Sequence, residues 1–273
     1  MPEMPEVETI ARKLRRAIVG KTVATVWLSG LPLRRPVSKD FATSLVGKTI
    51  RRVHRRGKYL VAELEPRAYW VIHLGMSGRI FYFAYGSDVP KHTHARICFV
   101  DSSELQYRDH RRFGLLVLHR VGRMSMIPEL KTIGRDPLSP GLNAAWLQSL
   151  LSVCRQEVKA FLLDQRKIAG LGNIYVCEAL FRARIHPKRR CNTLAMEETA
   201  ALVRAIRKTI RLAVKRRGTS FSDFMDSDGE LGDNQYFLKV FQMDGKRCRR
   251  CRTVIQRLRQ GNRSSFFCPC CQR

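Results

Sequence analysis

Acidic residues are in short supply. Asp and Glu number 23 against 51 Lys and Arg, which leaves a net charge of +28 and an isoelectric point near 10.6. The imbalance runs along the whole chain and is not confined to a tail. Such a surface repels cations and attracts polyanions, and nucleic acid is the default polyanion. Long apolar runs are also missing. None reaches the ~18 residues of a membrane-spanning helix. No basic helix carries the exposed Trp, Phe and Leu face of a membrane-surface anchor, so no membrane partner is expected. The opening, Met1-Pro2-Glu3-Met4-Pro5-Glu6-Val7-Glu8, lacks the basic start and apolar core of a secretory leader. The expected compartment is therefore the cytoplasm. Cysteine is present in an odd number, nine. Without a leader, that argues against a disulfide framework. A basic ribosome-associated protein without catalytic function survives all of these exclusions, so composition alone does not select an enzyme.

The remaining composition is that of a folded chain. Hydrophobic residues make up 44% of 273, enough for two domains and a small module. Residues 5–18 read as a helix, with Val7, Ile10, Leu14 and Ala17 at helical spacing and Gly20 to end it. Strand-like runs follow at Thr22–Leu28, Ile50–His54, Tyr59–Leu64, Tyr69–Leu74, Arg79–Phe83, Ala95–Val100 and Leu115–Leu118. Many short strands at near-regular intervals predict a sandwich or barrel for residues 1–127. Residues 128–143, rich in Pro and Gly, read as a linker. Helical patterns occupy Ala144–Cys154, Glu157–Gln165, Gly172–Arg184 and Met196–Arg216. A polar loop over Gly218–Tyr236 completes a helical domain assigned to residues 144–235, and residues 236–273 form a third unit.

That third unit carries Cys248-x2-Cys251-x16-Cys268-x2-Cys271. The spacing fits a four-thiolate zinc site. A closed tetrahedral site leaves no position for substrate, so one structural zinc is expected. So short a segment buries little core, and the metal replaces it. Cys270 could pair with Cys268 as a ligand, but the two-residue spacing is favoured and Cys270 is taken as a bystander. The unit holds ten Lys or Arg against one Asp. Most of these would solvate a surface, and a hairpin presenting Arg to DNA fits the rest.

Pro2 permits removal of Met1 and would then carry a free secondary amine. An α-amino group has a pKa of roughly 8, well below that of lysine. Such an amine can attack a sugar C1′ and form an iminium. Glu3, beside it, could donate and accept protons. These two residues alone are equally well read as an ordinary start before a helix.

The opening Met1–Thr9 is similar to that of the formamidopyrimidine-DNA glycosylase family, the bacterial 8-oxoguanine glycosylases. Four stretches follow in the family's order: Gly57-Lys58-Tyr59-Leu60, His73-Leu74-Gly75-Met76-Ser77-Gly78, Asp109-His110-Arg111-Arg112-Phe113-Gly114 and Gly170-Leu171-Gly172-Asn173-Ile174-Tyr175. The ending Cys268-Pro269-Cys270-Cys271-Gln272-Arg273 also matches. The resemblance covers essentially the whole chain. It implies an α+β multidomain fold: an N-terminal helix with a two-sheet β-sandwich, then a helix–two-turn–helix domain with a β-hairpin zinc finger, with DNA between them. It implies a bifunctional glycosylase and apurinic/apyrimidinic lyase of the bacterial cytoplasm, acting as a monomer on damaged duplex DNA.

The resemblance also implies roles. Pro2 would be the nucleophile and Glu3 the general acid/base. Lys58 and Arg263 would hold phosphates at the reacting nucleotide, counted here with the catalytic group. Met76, Arg112 and Phe113 would fill the gap left by a flipped nucleotide, as a pliable thioether, a hydrogen-bonding guanidinium and a flat ring can. Core packing is the alternative for Met76 and Phe113, and a solvated strand end for Lys58. His92, Lys159 and Asn173 would complete the DNA contacts. For Lys159 the alternative is a surface salt bridge. Asn173 is placed to cap the helix starting near Ile174 while touching phosphate. Three positions depart from the family. Thr93 stands where Asp is usual, Asp233-Asn234-Gln235 replaces an aromatic pair, and Cys270 replaces a base. The competing readings are an endonuclease VIII-type enzyme for oxidised pyrimidines and a silent damaged-DNA-binding protein.

Overall fold

The computed structural model describes residues 2–221 and 224–273. The chain divides into two units. Residues 1–132 and 216–233 form the first, and residues 133–215 with 234–273 the second.

The first unit opens with helix α1 (Met4–Ala17). Its apolar stripe, Val7, Ile10 and Leu14, is wholly buried. Pro5 in the first turn loses no hydrogen bond there. The strands β1 (Val23–Leu28), β2 (Thr49–Arg56), β3 (Tyr59–Glu65), β4 (Ala68–His73), β5 (Arg79–Phe83), β6 (Thr93–Phe99), β7 (Glu104–Arg108) and β8 (Leu115–His119) form two antiparallel sheets. One has the order β2-β3-β4-β8, the other β1-β6-β7-β5. Leu60, Ala62 and Trp70 of the first sheet share one core with Ile80, Ile97 and Tyr107 of the second, and α1 packs into it. Two short helices, α2 (Phe41–Leu45) and α3 (Pro128–Lys131), complete the unit.

Seven of the eight strands are those expected; β7 is the addition. Its polar residues hid it. Glu104 and Gln106 are buried, with Glu104 paired to Arg96 and accepting from Gln106 Nε2 at 2.6 Å and Ser87 Oγ at 3.1 Å. Leu105 and Tyr107 alternate with them and fill the core.

The second unit holds α4 (Ala144–Leu151), α5 (Val158–Leu163), α6 (Asn173–Ala183) and α7 (Met196–Lys215), then the hairpin β9 (Gln256–Gln260) and β10 (Arg263–Phe267). The Asn143 side chain caps α4, accepting from Trp146 N–H at 2.9 Å. Cys177 and Phe181 of α6 pack with Phe241, Ile255 and Phe266 of the C-terminal segment. The described residues contain no helix long and apolar enough to cross a membrane.

The boundaries differ from the sequence reading in two places. Segment 216–233 packs with the first unit and not with the helices. Ser227 C=O accepts from Tyr82 N–H at 2.8 Å, and Lys13 of α1 pairs with Asp226 at 2.8 Å. The stretch read as a linker is divided: α3 closes the first unit, and residue 133 begins the second.

Candidate catalytic terminus and nucleic-acid interface

Pro2 and Glu3 lie directly before α1, and both are buried. Glu3 is the N-cap and forms a capping box with Glu6. Glu6 Oε2 accepts from Glu3 N–H at 2.9 Å, and its Oε1 accepts from Thr219 N–H at 2.7 Å. Gly218 has φ +85°, and a Cβ there would stand 2.9 Å from Glu6 Cγ. One carboxylate thus ties the start of the chain to the segment after α7. The sequence reading gave Glu6 no role, although the i, i+3 spacing of Glu3 and Glu6 was its signal.

Lys58 follows Gly57 in the turn between β2 and β3 and is buried. Across the sheet, Tyr59 pairs with His73, their rings 4.7 Å apart. His73 Nδ1 accepts from Gly75 N–H at 3.0 Å. Burial, helped by the Lys58 and Arg34 charges, lowers its pKa to about 4. The ring is therefore neutral, as an acceptor must be.

Met76 and Phe113 are exposed on two loops that one carboxylate holds together. Asp109 Oδ1 accepts from Ser77 Oγ at 2.5 Å; Oδ2 accepts from Gly114 N–H at 2.8 Å and Tyr107 OH at 3.2 Å. Ser77 Oγ in turn accepts from Arg111 N–H at 3.1 Å. Glycine is required at two points. A Cβ on Gly75 would lie 2.4 Å from the Phe113 carbonyl carbon, and one on Gly114 would lie 1.5 Å from Tyr107 OH. Arg112 is exposed in a left-handed conformation, φ +57°. Arg111, not singled out in the sequence, stacks its guanidinium on the Phe113 ring at 4.7 Å.

His92 is exposed with φ +69°, and its carbonyl accepts from Asp109 N–H at 2.9 Å. Thr93, at the departing position, donates its hydroxyl to Pro90 C=O at 2.7 Å and closes the local turn itself.

In the second unit two residues converge on β10. Lys159 is only 1% exposed. Its Nζ donates to Ser264 C=O at 2.9 Å and Ser265 Oγ at 2.6 Å, so it is not a surface ion-pair residue. Asn173 does not cap α6: Gly172 is the N-cap, and Asn173 is the first helical residue. Its Nδ2 donates to Ser264 C=O at 2.9 Å, which turns the side chain to the hairpin instead of back over the helix end. Its Oδ1 is buried and lacks a hydrogen-bond partner among the described residues. Arg263 is exposed beside this clamp, at the start of β10, next to the Gly261-Asn262 turn.

The Sγ atoms of Cys248, Cys251, Cys268 and Cys271 all lie within 4.8 Å of one another. Cys248 and Cys271 are 4.0 Å apart, and Cys251 and Cys268 3.4 Å. Ligands at roughly 2.3 Å from zinc would stand about 3.8 Å apart in a tetrahedron. The four thiols fit that ion. Cys270 is exposed and outside the cluster.

Three family models match consecutive parts of the chain. The N-terminal domain of formamidopyrimidine-DNA glycosylase matches residues 1–116, its H2TH domain residues 133–225, and the zinc finger found in FPG and IleRS residues 245–273. The chain belongs to the formamidopyrimidine-DNA glycosylase family. The formamidopyrimidine-DNA glycosylase of Halalkalibacterium halodurans is 42% identical over 275 residues, with 100% of both chains covered. A Lactococcus lactis FPG variant, solved in complex with Fapy-dG-containing DNA, matches with a TM-score of 0.91 at 32% identity, again over 100% of both chains. Lactococcus lactis Fpg with abasic-site DNA gives 0.90 at 32% identity over 99% of each. Membership in this family assigns the thiol cluster to its zinc finger, with one structural zinc. It also places the chain among DNA glycosylases of base excision repair.

Proposed function

We propose that the protein removes oxidised purines, 8-oxoguanine and formamidopyrimidines, from duplex DNA and then cleaves the strand as an apurinic/apyrimidinic lyase. The observation that carries this reading is the buried Pro2-Glu3 pair at the mouth of α1, fastened through Glu6 on both sides. With Met1 removed, Pro2 presents a secondary amine. Its nitrogen attacks C1′ of the damaged nucleotide, the base departs, and an iminium joins protein to sugar. Glu3 exchanges protons with the opening sugar. Loss of a C2′ proton expels the 3′ phosphate, and a second elimination expels the 5′ phosphate. Lys58 and Arg263 hold these phosphates. Met76, Arg112 and Phe113 occupy the vacated stack, with Arg111 bracing the Phe113 ring. His92, Lys159 and Asn173 serve the DNA contacts, the last two through the hairpin they clamp. The protein acts as a monomer in the bacterial cytoplasm. If about six phosphates are contacted, affinity falls ~10³-fold or more from low to near-physiological salt.

Borohydride trapping tests the reading. Duplexes carrying 8-oxoguanine, thymine glycol or an abasic site are incubated with the protein and reduced. A covalent adduct on 8-oxoguanine and abasic DNA is the expected result, sharply weakened by Pro2→Gly, with an intact mass lacking one methionine. Adduct on thymine glycol but not 8-oxoguanine would assign the endonuclease VIII-type activity instead. No adduct on any duplex would leave a DNA-binding protein without this chemistry.

A further inference from the structure

A second concentration of positive charge in the second unit shares no lining residue with the Lys159–Asn173 clamp on β10. Arg182, Lys239, Arg249 and Arg250 line a cavity of about 330 Å³ together with Glu178 and Phe181. This volume is within the range of small-ligand sites. Glu178 is the one acid in the lining among the described residues. Its carboxylate is already engaged, accepting from the N–H groups of Lys239, Val240 and Phe241 at 2.9–3.0 Å. Four cations thus line a space with a single carboxylate, which accepts from three backbone N–H groups and also feels the Arg182 charge.

Two of the cations are held in place. Arg182 Nε donates to Thr209 Oγ1 at 3.2 Å. Arg250 lies over the Phe181 ring at 4.6 Å. Arg249 and Arg250 stand between two zinc ligands, and Arg250 N–H donates to Cys248 Sγ at 3.4 Å. The metal knuckle therefore fixes the backbone from which both guanidinium groups extend. Such pre-ordered forks match the oxygens of a phosphate. The cavity is distinct from the Asn173 end of α6. Arg182 is nine residues further along, about 13 Å and about 180° around an α-helix.

We propose that this cavity binds a phosphate group, with Arg182, Arg249 and Arg250 as its donors. The phosphate comes from a second DNA segment or from a free phosphorylated molecule. A second DNA segment held here would give the protein a route from one duplex to another without full release. The proposal does not depend on Pro2 chemistry, and its test does not use it.

Inorganic phosphate is titrated into the full-length, zinc-loaded protein while the arginine Nε–Hε resonances are followed by NMR. The expected result is a saturable shift at Arg182 that is lost in the Arg249→Gln/Arg250→Gln variant. Zinc content and borohydride trapping should be unchanged in that variant, because neither residue belongs to the catalytic group. Lys239→Gln provides a second variant, expected to weaken the shift. In the DNA arm, the protein is first saturated with a short lesion duplex, and binding of a second, undamaged duplex is measured against salt. Loss of that one phosphate contact should reduce the log–log salt slope by about 0.9. That reduction identifies DNA as the source. An unchanged slope with the Arg182 shift still lost identifies a free phosphorylated ligand. No saturable shift in the wild-type protein, or an equal shift in the variants, overturns the proposal.

Discussion

Replacing Asp109 separates packing from charge in the two exposed loops. Its carboxylate is 1% exposed and accepts three hydrogen bonds, from Ser77 Oγ, Tyr107 OH and Gly114 N–H. In Asp109→Ala these donors lose their acceptor inside the core. An unsatisfied buried donor costs about 1–3 kcal/mol, but the Ser77 hydroxyl can rotate towards other acceptors. The sum is about 3–5 kcal/mol. Asp109→Asn keeps one oxygen for Tyr107 and Gly114 and turns an NH2 towards Ser77. It should cost about 1–2 kcal/mol, the difference between charge-assisted and neutral hydrogen bonds. Urea denaturation in a Trp146→Phe background measures this, because Trp27 and Trp70 then report on the first unit alone. Affinity for a lesion duplex should fall in step, since Met76 and Phe113 depend on the same brace. An Ala variant within about 1 kcal/mol of wild type, or an Asn variant as damaging as Ala, would refute the argument.

Acidification should weaken the first unit through His73. The folded ring resists protonation until about pH 4, while the unfolded one titrates near 6.5. Between these values the unfolded chain binds more protons, so stability falls as pH is lowered, by at most about 1.4 kcal/mol per pH unit. Partial exposure reduces the total to about 2 kcal/mol. His73→Phe should flatten that slope in pH-dependent denaturation, and an unchanged slope would assign it to other groups. Zinc removal, by chelation or Cys248→Ser, should unfold the hairpin and abolish lesion-duplex binding in fluorescence anisotropy while leaving the first unit folded. Normal binding by a zinc-free sample would contradict the structural role. Lys159→Met should cost about 2 kcal/mol by removing the buried donor to Ser265 Oγ and one of the two side-chain donors to Ser264 C=O. Its effect on DNA affinity should be non-additive with Arg263→Ala in a double-mutant cycle. Additive losses would mean that Lys159 acts on DNA independently of the hairpin.

The sequence conveys apolar periodicity well and buried polarity poorly. Val7, Ile10 and Leu14 announce α1, and seven strands stand out through β-branched and aromatic runs. The paired cysteines mark the zinc site by spacing alone, since four thiolates at that interval have few other uses. Strand β7 escapes because Glu104 and Gln106 are buried against one another, two residues apart, and against Arg96 across the ladder. The packing of segment 216–233 with the first unit escapes for a related reason. Its attachment depends on Glu6, Lys13 and Tyr82, more than a hundred residues away.

The same distinction runs through the interface. Residues that a reader of sequence would choose for DNA, namely Met76, Arg112, Phe113 and Arg263, are exposed and have few ties of their own. What orients them is a small number of buried polar atoms: Asp109 Oδ1 and Oδ2 for one pair of loops, Lys159 Nζ and Asn173 Nδ2 for the hairpin. Low local dielectric makes those bonds strong when complete and costly when broken. A substitution at such an atom therefore displaces several exposed side chains together, whereas one at an exposed side chain removes only its own contact. Lys159 shows what motif matching alone leaves out of such a site. A lysine in a DNA-binding sequence suggests a phosphate contact, yet here its ammonium group lies under β10, where it sets the position of the arginine next along the strand.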